Sequence, residues 1–268
     1  MSRQRVWCRV VDKEGKVVVK TLGRHSSRLK ELRRRVRSRR DGEVIVDGAK
    51  LLDDLVRWDV AVHELYLTAG LAESERVAPW LTAAGQAWVL DGAILSSVAP
   101  TRSPQGVLAM VDEPTWPRWS AESGVAIYLE AVQDRGTVGA IGRTAAGLGG
   151  VSVLLSPGCA DPFHPAAVRG SAGAVFRMPV EREITPSRAV DRLRRAAGEV
   201  WATGGEGLLL REWRPAEPVL LLLGAEGAGL DDRSMNLADG TVTIPLARDV
   251  ESLNVAVAAG VLLQHVRG

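Results

Sequence analysis

Short apolar segments that end in a polar turn are the feature that most limits which folds this sequence can adopt. Two of them lie near the end of the chain, in LLLLGAEGAGL (residues 220–230) and IPLARDVESLNVAVAAG (residues 244–260). Strands that are apolar at every position are typical of parallel sheets with helices on both faces. Because α/β proteins hold ligands at the carboxyl ends of such strands, the polar residues after these two segments predict a binding site.

The rest of the sequence alternates between predicted strands and helices around one irregular segment, DEPTWPRWSAESG, which has two prolines and no periodicity. We therefore predict an N-terminal α/β domain (residues 1–112), a linker (113–124) and a C-terminal α/β domain (125–268). Predicted strands lie at residues 43–46, 64–68, 87–90, 106–111, 125–130, 151–155, 207–210, 218–223 and 241–246. Predicted helices lie at residues 49–56, 74–84, near 93, at 137–148, within 165–176, at 185–197 and from 252 to the end.

The first forty residues predict a hairpin followed by an arginine-rich helix. RVWCRVVDKEGKVVVKT alternates apolar and polar residues on both sides of a Lys-Glu-Gly turn, which is a hairpin pattern. SSRLKELRRRVRSRR then predicts a helix whose narrow apolar stripe is Leu29, Leu32 and Val36, with arginines over the rest of its surface. Ser26 or Ser27 can cap the start of this helix.

Positive charge is concentrated at this end of the chain. Residues 1–50 contain 16 Lys or Arg against 6 Asp or Glu, whereas the remaining residues contain 18 against 26. This asymmetry indicates a polyanionic partner such as RNA, and a merely solvated helix face is the alternative. The candidate RNA-binding residues here are Arg28, Arg33, Arg34, Arg37 and Arg40.

Composition excludes several other classes of protein. No apolar run approaches the roughly 20 residues that a membrane span needs, and the N-terminus has no apolar signal-peptide core. Cys8 and Cys159 are far apart and form no metal-type cluster with the four histidines. We expect a cytoplasmic protein with reduced thiols, no metal and no membrane partner.

Three segments resemble, in the right order, the motifs of the SpoU (TrmH-like) branch of the SPOUT RNA methyltransferases. The first is LEAVQDRGTVGAIGRTAAGLG (residues 129–149), and the other two are the segments at 220–230 and 244–260. The residues that carry the resemblance in the last two are Gly224, Glu226, Gly227, Gly229, Ile244, Pro245, Glu251, Ser252, Leu253 and Asn254. The front half, from EVIVDGAKLLDDLVRWDVAVHELYLT to SPQGVLAMV, is similar to the ribosomal-protein-like RNA-binding domain of this family.

The resemblance implies a knotted (trefoil) parallel-sheet catalytic domain that uses S-adenosylmethionine to methylate the 2′-hydroxyl of a ribose. It implies a homodimer whose active site borrows an arginine across the interface, and ribosomal RNA rather than tRNA as the substrate. The cofactor-binding positions would be Leu223, Gly224, Ile244, Leu246 and Leu253. The catalytic positions would be Thr137, Arg143, Glu226, Ser252 and Asn254, with Arg169 facing RNA.

Two of these positions require comment. Arg143 matches the arginine that contacts the target nucleotide; because a guanidinium stays protonated, we expect it to hold a phosphate or stabilise the developing alkoxide. Thr137 stands where motif 1 usually has asparagine, which leaves a catalytically silent RNA-binding homologue as an alternative. A general nucleotide-binding α/β protein is a weaker alternative, because the glycines of GLGGVSVLL precede their strand instead of following it.

Overall fold

The computed structural model describes residues 20–101 and 103–268. The hairpin that we predict at residues 5–21 lies outside the described residues, apart from its last two positions, Lys20 and Thr21. The chain divides into two compact units, the first ending at Pro114 and the second beginning at Thr115.

Within the described residues, the first unit is a five-stranded mixed sheet with helices packed against it. Its strands are β1 (Lys20–Thr21), β2 (Glu43–Asp47), β3 (Val62–Thr68), β4 (Ala84–Leu90) and β5 (Val107–Asp112). Its helices are α1 (Ser27–Arg37), α2 (Ala49–Arg57), α3 (Ala69–Ala72), α4 (Ala78–Ala83) and α5 (Gly92–Val98). The strand order is β1-β4-β3-β5-β2, and β5 runs antiparallel to both β3 and β2 while the other pairs are parallel.

Helix α1 begins where the sequence predicts. The hydroxyl of Ser26 accepts a hydrogen bond from the backbone N–H of Leu29, which caps the helix. Leu29 and Leu32 are fully buried and pack with Tyr66 and Trp88 of the sheet. The apolar stripe of this helix therefore fixes which side of α1 faces the sheet.

The prediction that arginines cover the rest of the surface of α1 is wrong for Arg35, whose side chain is 3% exposed. Its guanidinium donates to both oxygens of Glu64 at 2.7 and 2.8 Å and forms a two-pronged ion pair with Glu43. The hydroxyl of Tyr66 donates to the same Glu64 carboxylate at 2.6 Å. Burial alone would lower the pKa of Arg35, but hydrogen bonds and charges from Glu43 and Glu64 raise it above the ordinary arginine value.

The described part of the second unit is a six-stranded sheet in which every pair of strands is parallel. Its strands are β6 (Val125–Glu130), β7 (Ser152–Leu155), β8 (Val180–Glu181), β9 (Glu199–Leu209), β10 (Val219–Gly224) and β11 (Gly240–Thr243). Its helices are α6 (Arg135–Gly147), α7 (Pro165–Gly170), α8 (Pro186–Arg195), α9 (Asp232–Leu237) and α10 (Val255–Arg267). The strand order is β11-β9-β10-β6-β7-β8, so the predicted parallel α/β sheet is confirmed.

Both faces of this sheet are covered, which explains its continuously apolar strands. In β6, Val125 and Ile127 pack in one buried cluster with residues of α6 and α10. Ala126 and Tyr128 face the opposite layer, where they pack with residues of α8 such as Leu193. The first five positions of the strand are therefore buried, and no polar alternation remains before Glu130 at its end.

Three predicted boundaries in the last third of the chain are wrong. Strand β9 starts at Glu199, eight residues before the predicted start. Strand β11 ends at Thr243 instead of Leu246, and Pro245, which has no N–H to donate, follows two residues later. Helix α10 starts at Val255 and not at Ser252, because Asn254 caps it by accepting hydrogen bonds from the backbone of residues 256 and 257.

Candidate active site

The loop after β10 folds back tightly on the end of that strand. Ala225 and Gly229 form an antiparallel bridge, with the N–H of Gly229 donating to the carbonyl of Ala225 at 2.9 Å. A Cβ atom on Gly224 would overlap the carbonyl group of Gly229. Only glycine therefore fits at position 224, and the backbone of the loop is exposed on the ligand side.

Glu130, at the end of the neighbouring strand β6, holds the far end of this loop. Its carboxylate accepts hydrogen bonds from the backbone N–H of Asp231, at 2.7 Å, and from the hydroxyl of Ser234. Asp231 in turn caps α9 by accepting from the N–H of Ser234 at 2.7 Å. The sequence alone does not single out Glu130, because no sequence pattern predicts which groups an acidic residue at the end of a strand will contact.

A cavity of about 360 Å³ opens at the carboxyl edge of the sheet, beside this loop. All five predicted cofactor-binding residues line it, together with the predicted catalytic residues Glu226 and Ser252. The cavity is lined by residues from the middle of β9, the ends of β10 and β11, the loops after β10 and β11, and α10: Thr203, Gly204, Gly205, Leu223, Gly224, Ala225, Glu226, Gly227, Gly229, Val242, Ile244, Leu246, Glu251, Ser252, Leu253, Val255, Ala258 and Leu262. Its volume is within the range of small-molecule sites.

The segment Thr203, Gly204 and Gly205 is a part of this wall that the sequence analysis missed. It belongs to β9, which lies between β10 and β11 in the sheet. The two glycines leave backbone without side chains facing the cavity, and a pair of glycines inside a strand was the signal that could have identified them.

A second cavity of about 190 Å³ is lined by residues 131–134 and by Thr137, Ala225, Glu226 and Val255. Ala225, Glu226 and Val255 line both cavities. The two cavities therefore share one wall, and the carboxylate-bearing residue of that wall is Glu226.

Glu226 and Asn254 are hydrogen-bonded to each other. The amide Nδ2 of Asn254 donates to Oε1 of Glu226, while its Oδ1 accepts from the N–H of Ala256 at 3.0 Å. Asn254 is thus both the cap of α10 and the anchor of Glu226. Ser252, predicted to open the same helix, instead lies in the loop before it and lines the larger cavity.

Thr137 lies at the first turn of α6, on the wall of the smaller cavity. Its backbone N–H donates to Oδ1 of Asp134 at 2.6 Å, and its hydroxyl hydrogen-bonds the same carboxylate. These bonds, the backbone one first, lower the pKa of Asp134 below its ordinary value. The Thr137 side chain is therefore held at the helix start and is not free in the cavity.

Arg143 is exposed on α6 and is not among the residues that line either cavity. Among the residues that the structure describes, it has no hydrogen bond or ion pair. Gly139, one turn earlier, packs so closely on α7 that a Cβ would overlap the carbonyl oxygen of Ala167. Arg169 is exposed on α7. Neither arginine therefore lines the cavities that Glu226 borders within one chain.

The candidate RNA-binding arginines of the first unit fall into two groups. Arg33, Arg34 and Arg37 are exposed. Arg40 is also exposed and pairs with Glu31 at 2.6 Å. Arg28 differs, because it stacks over Trp88 with its guanidinium 4.3 Å from the ring centroid and donates to Glu64 and Gln86 at 2.9 Å. These contacts assign Arg28 a role inside the unit.

Within the described ranges, no helix is long and apolar enough to cross a membrane. No group of three or more His, Cys, Asp or Glu side chains in the same ranges is arranged to hold a metal ion.

Two family models match the chain. The SpoU rRNA Methylase family matches residues 124–264, and the MRM3-like substrate binding domain matches residues 27–109. Among curated relatives, the 23S rRNA (guanosine(2553)-2′-O)-methyltransferase RlmP of Bacillus subtilis is 32% identical over 225 residues, which cover 84% of this chain and 88% of that protein.

Solved structures give the same result. An S-adenosylmethionine-bound rRNA methyltransferase from Sinorhizobium meliloti has a TM-score of 0.79 and 28% identity, covering 92% of this chain and 97% of that one. The SpoU methyltransferase AviRb of Streptomyces viridochromogenes, in complex with S-adenosylmethionine, has a TM-score of 0.78 and 26% identity, covering 90% and 96%. The chain belongs to the SpoU rRNA methylase family. The predicted class, an RNA 2′-O-methyltransferase that uses S-adenosylmethionine, is thereby confirmed.

Proposed function

We propose that this enzyme methylates the 2′-hydroxyl of one ribose in 23S rRNA, and that the two cavities sharing Glu226 hold the methyl donor and the acceptor ribose. The observation that carries the proposal is their common wall, Ala225, Glu226 and Val255, because methyl transfer requires donor and acceptor to meet. The relative RlmP, a 23S rRNA 2′-O-methyltransferase by name, supports this substrate over tRNA.

The larger cavity fits S-adenosylmethionine. Gly224 leaves a cradle that a Cβ would close, and Ile244, Leu246 and Leu253 supply an apolar wall for an adenine ring. Glu226 and Glu251 line the same cavity, and their negative charges suit a ligand that carries a sulfonium and an ammonium group. When bound, this cofactor supplies a methyl group that is activated by the positive sulfur.

The residues of the smaller cavity would orient the ribose. Glu226 borders both ligands and is fixed by Asn254, so its carboxylate can accept a hydrogen bond from a ribose hydroxyl. S-adenosylmethionine held in the larger cavity would supply its methyl group to the ribose oxygen with cleavage of the carbon–sulfur bond, and the hydroxyl proton would pass to phosphate or water. Arg143 stabilises the developing alkoxide, since a guanidinium is a poor base.

Arg143 reaches this reaction from a second copy of the chain. In one subunit it is exposed on α6, lines neither cavity, and has no intramolecular partner within the described residues. A homodimer that brings Arg143 of one subunit to the cavities of its partner completes the site. Ser252 and Asn254 would then contribute to holding cofactor and substrate, and Arg169 would face RNA beside α6.

The remaining parts of the proposal concern architecture and location. The C-terminal segment, residues 244–268, threads through a loop to form the trefoil knot of the family. The first unit acts as a separate RNA-binding domain, which its match to a substrate binding domain supports. The enzyme works in the cytoplasm, where ribosomal RNA is assembled.

Ribose methylation mapping tests the proposal. RNA from cells with and without this gene should differ at one 2′-O-methylated position in 23S rRNA, and the purified protein should restore that methyl group on unmethylated RNA with S-adenosylmethionine. If no RNA from the deletion strain accepts a methyl group while the protein still binds RNA, the silent RNA-binding alternative is correct.

A further inference from the structure

The loop between β11 and α10 contains a feature that the reaction described above does not use. Residues on both sides of it line the cofactor cavity: Ile244 and Leu246 before it, and residues 251–253 after it. The intervening residues 247–250 are all exposed and are not part of the wall. This short segment therefore forms the outer rim of the cavity.

Two successive residues of the rim have left-handed backbone conformations. Arg248 has a φ angle of 59° and Asp249 a φ angle of 56°. Aspartate is among the residues that tolerate this region, but an arginine there is uncommon and its conformation costs free energy. Glycine would adopt it without that cost. Because such strained positions cluster at sites that bind ligands, the Arg248 side chain is a candidate ligand-binding group.

The charges around the rim indicate what kind of ligand this side chain binds. Glu226 and Glu251 line the cavity, and Asp249 is adjacent to Arg248, so the entrance carries several negative charges. A polyanionic RNA is repelled by them unless a cation offsets the repulsion. Within the described residues, Arg248 has no hydrogen bond or ion pair, and a guanidinium can hold a phosphate with two parallel hydrogen bonds.

We propose that Arg248 is a substrate-binding residue that holds a backbone phosphate of the RNA beside the target nucleotide, at the rim of the cofactor cavity. This inference rests on the proposed function. The carboxylate of the cofactor is the other anion within range of this loop. RNA is favoured because Arg248 lies outside the wall that would surround the cofactor, whereas its neighbours Leu246 and Glu251 lie within it.

The test compares variants that separate charge from backbone conformation. Arg248→Asn removes the charge but keeps a residue that tolerates the left-handed region, and Arg248→Lys keeps the charge. Binding of a 23S rRNA transcript is measured over a range of salt concentrations, and S-adenosylmethionine binding is measured by calorimetry. We expect Arg248→Asn to weaken RNA binding about fivefold and to lower the salt slope by about 0.7 to 0.9, the value for one lost phosphate contact. Arg248→Lys should retain the slope.

Asp249→Asn is the matched control, since it changes the adjacent charge at a similar φ angle and should not weaken RNA binding. The proposal is overturned if Arg248→Asn leaves RNA affinity and its salt slope unchanged. It is also overturned if S-adenosylmethionine affinity falls instead, or if Asp249→Asn causes the same loss, which would assign the effect to loop conformation. Failure of the proposed function is a separate result, because it appears as wild-type protein that binds RNA without transferring a methyl group.

Discussion

The amide of Asn254 donates a hydrogen bond to the carboxylate of Glu226, and this bond joins the start of α10 to the loop after β10. The same Asn254 side chain caps α10, so one residue sets both the position of the helix and the position of Glu226. Because Glu226 lines both cavities, this bond positions the carboxylate that would border both donor and acceptor.

The first prediction reverses the direction of this hydrogen bond. Asn254→Asp keeps an oxygen that caps α10 but places a carboxylate against Glu226. Because the two carboxylates repel each other by about 1 kcal/mol near water, the affinity for S-adenosylmethionine should fall roughly fivefold. Adding Glu226→Gln restores one donor and one acceptor with the original net charge. Calorimetry should show that the double variant recovers cofactor binding. A double variant that binds no better than Asn254→Asp would mean that the bond has no positioning role.

The second prediction concerns Gly224. Any side chain there overlaps the carbonyl of Gly229, so Gly224→Leu should displace the loop and abolish S-adenosylmethionine binding, measured as one site per subunit by calorimetry. Gly147→Ala is the matched control, because a Cβ at Gly147, in the last turn of α6, meets nothing within 4 Å. Normal cofactor binding by Gly224→Leu would show that the cavity is assigned to the wrong ligand.

The parallel sheet was predictable because a strand that is buried on both faces consists of a continuous run of apolar residues in the sequence. Val125 and Ile127 face one layer and Ala126 and Tyr128 the other, so the strand stays apolar until Glu130 at its carboxyl end. The cavity near Gly224 and Ile244 was predictable for a related reason, since these residues lie at or just after the ends of such strands and within recognisable motifs.

Contacts between segments that are distant in the chain could not be predicted from the sequence pattern. The burial of Arg35 depends on Glu43 and Glu64, which two different strands bring to it. The role of Gly204 in the cavity wall depends on the position of β9 between β10 and β11, and a glycine carries no side chain to indicate it. Strand order and pairing decide these contacts, and the sequence pattern of a single element contains neither.

The third prediction separates two groups of arginines in the first unit. Neutralising Arg33, Arg34 and Arg37 should weaken RNA binding and lower its salt slope by about 0.7 to 0.9 per lost phosphate contact, with no change in cofactor affinity. Adding a change at Arg40 should extend the effect only modestly, because that side chain already pairs with Glu31. An unaltered slope would assign these residues to a solvated face.

Arg35→Met is the contrasting variant, because it removes the buried cation between Glu43 and Glu64 and leaves Glu64 with Arg28 alone. Removing one partner of a buried ion pair costs about 3 to 5 kcal/mol, so the melting temperature should fall sharply. The salt slope of RNA binding by the folded fraction should remain that of the wild type. A lowered slope would mean that Arg35 contacts RNA.

The fourth prediction concerns Thr137, whose hydroxyl bonds Asp134 at the start of α6. Asparagine is tolerated at helix starts and would restore the pattern usual in the family, so Thr137→Asn should keep the fold. We expect an active wild-type enzyme and less than about a tenfold change in single-turnover methylation, or about 1.4 kcal/mol in the barrier. An inactive wild type with a clearly active Thr137→Asn variant would favour the silent homologue instead.

The last prediction tests whether Arg143 acts across a dimer interface. Arg143 is exposed and unpaired within the described residues, so Arg143→Ala should fold and bind S-adenosylmethionine normally. Methyl transfer should fall by at least about 10²-fold, the scale for losing one positioned charge-stabilising donor.

Gly224→Leu, whose added side chain would displace the loop that borders the cofactor cavity, should be inactive for a different reason. Mixed dimers of these two chains then contain one subunit with an intact cavity and one with an intact arginine. If Arg143 acts on its partner's cavity, the mixed dimer recovers activity at one of its sites. If it acts within its own chain, no arrangement of the two defective subunits is active, and the shared-site dimer is excluded.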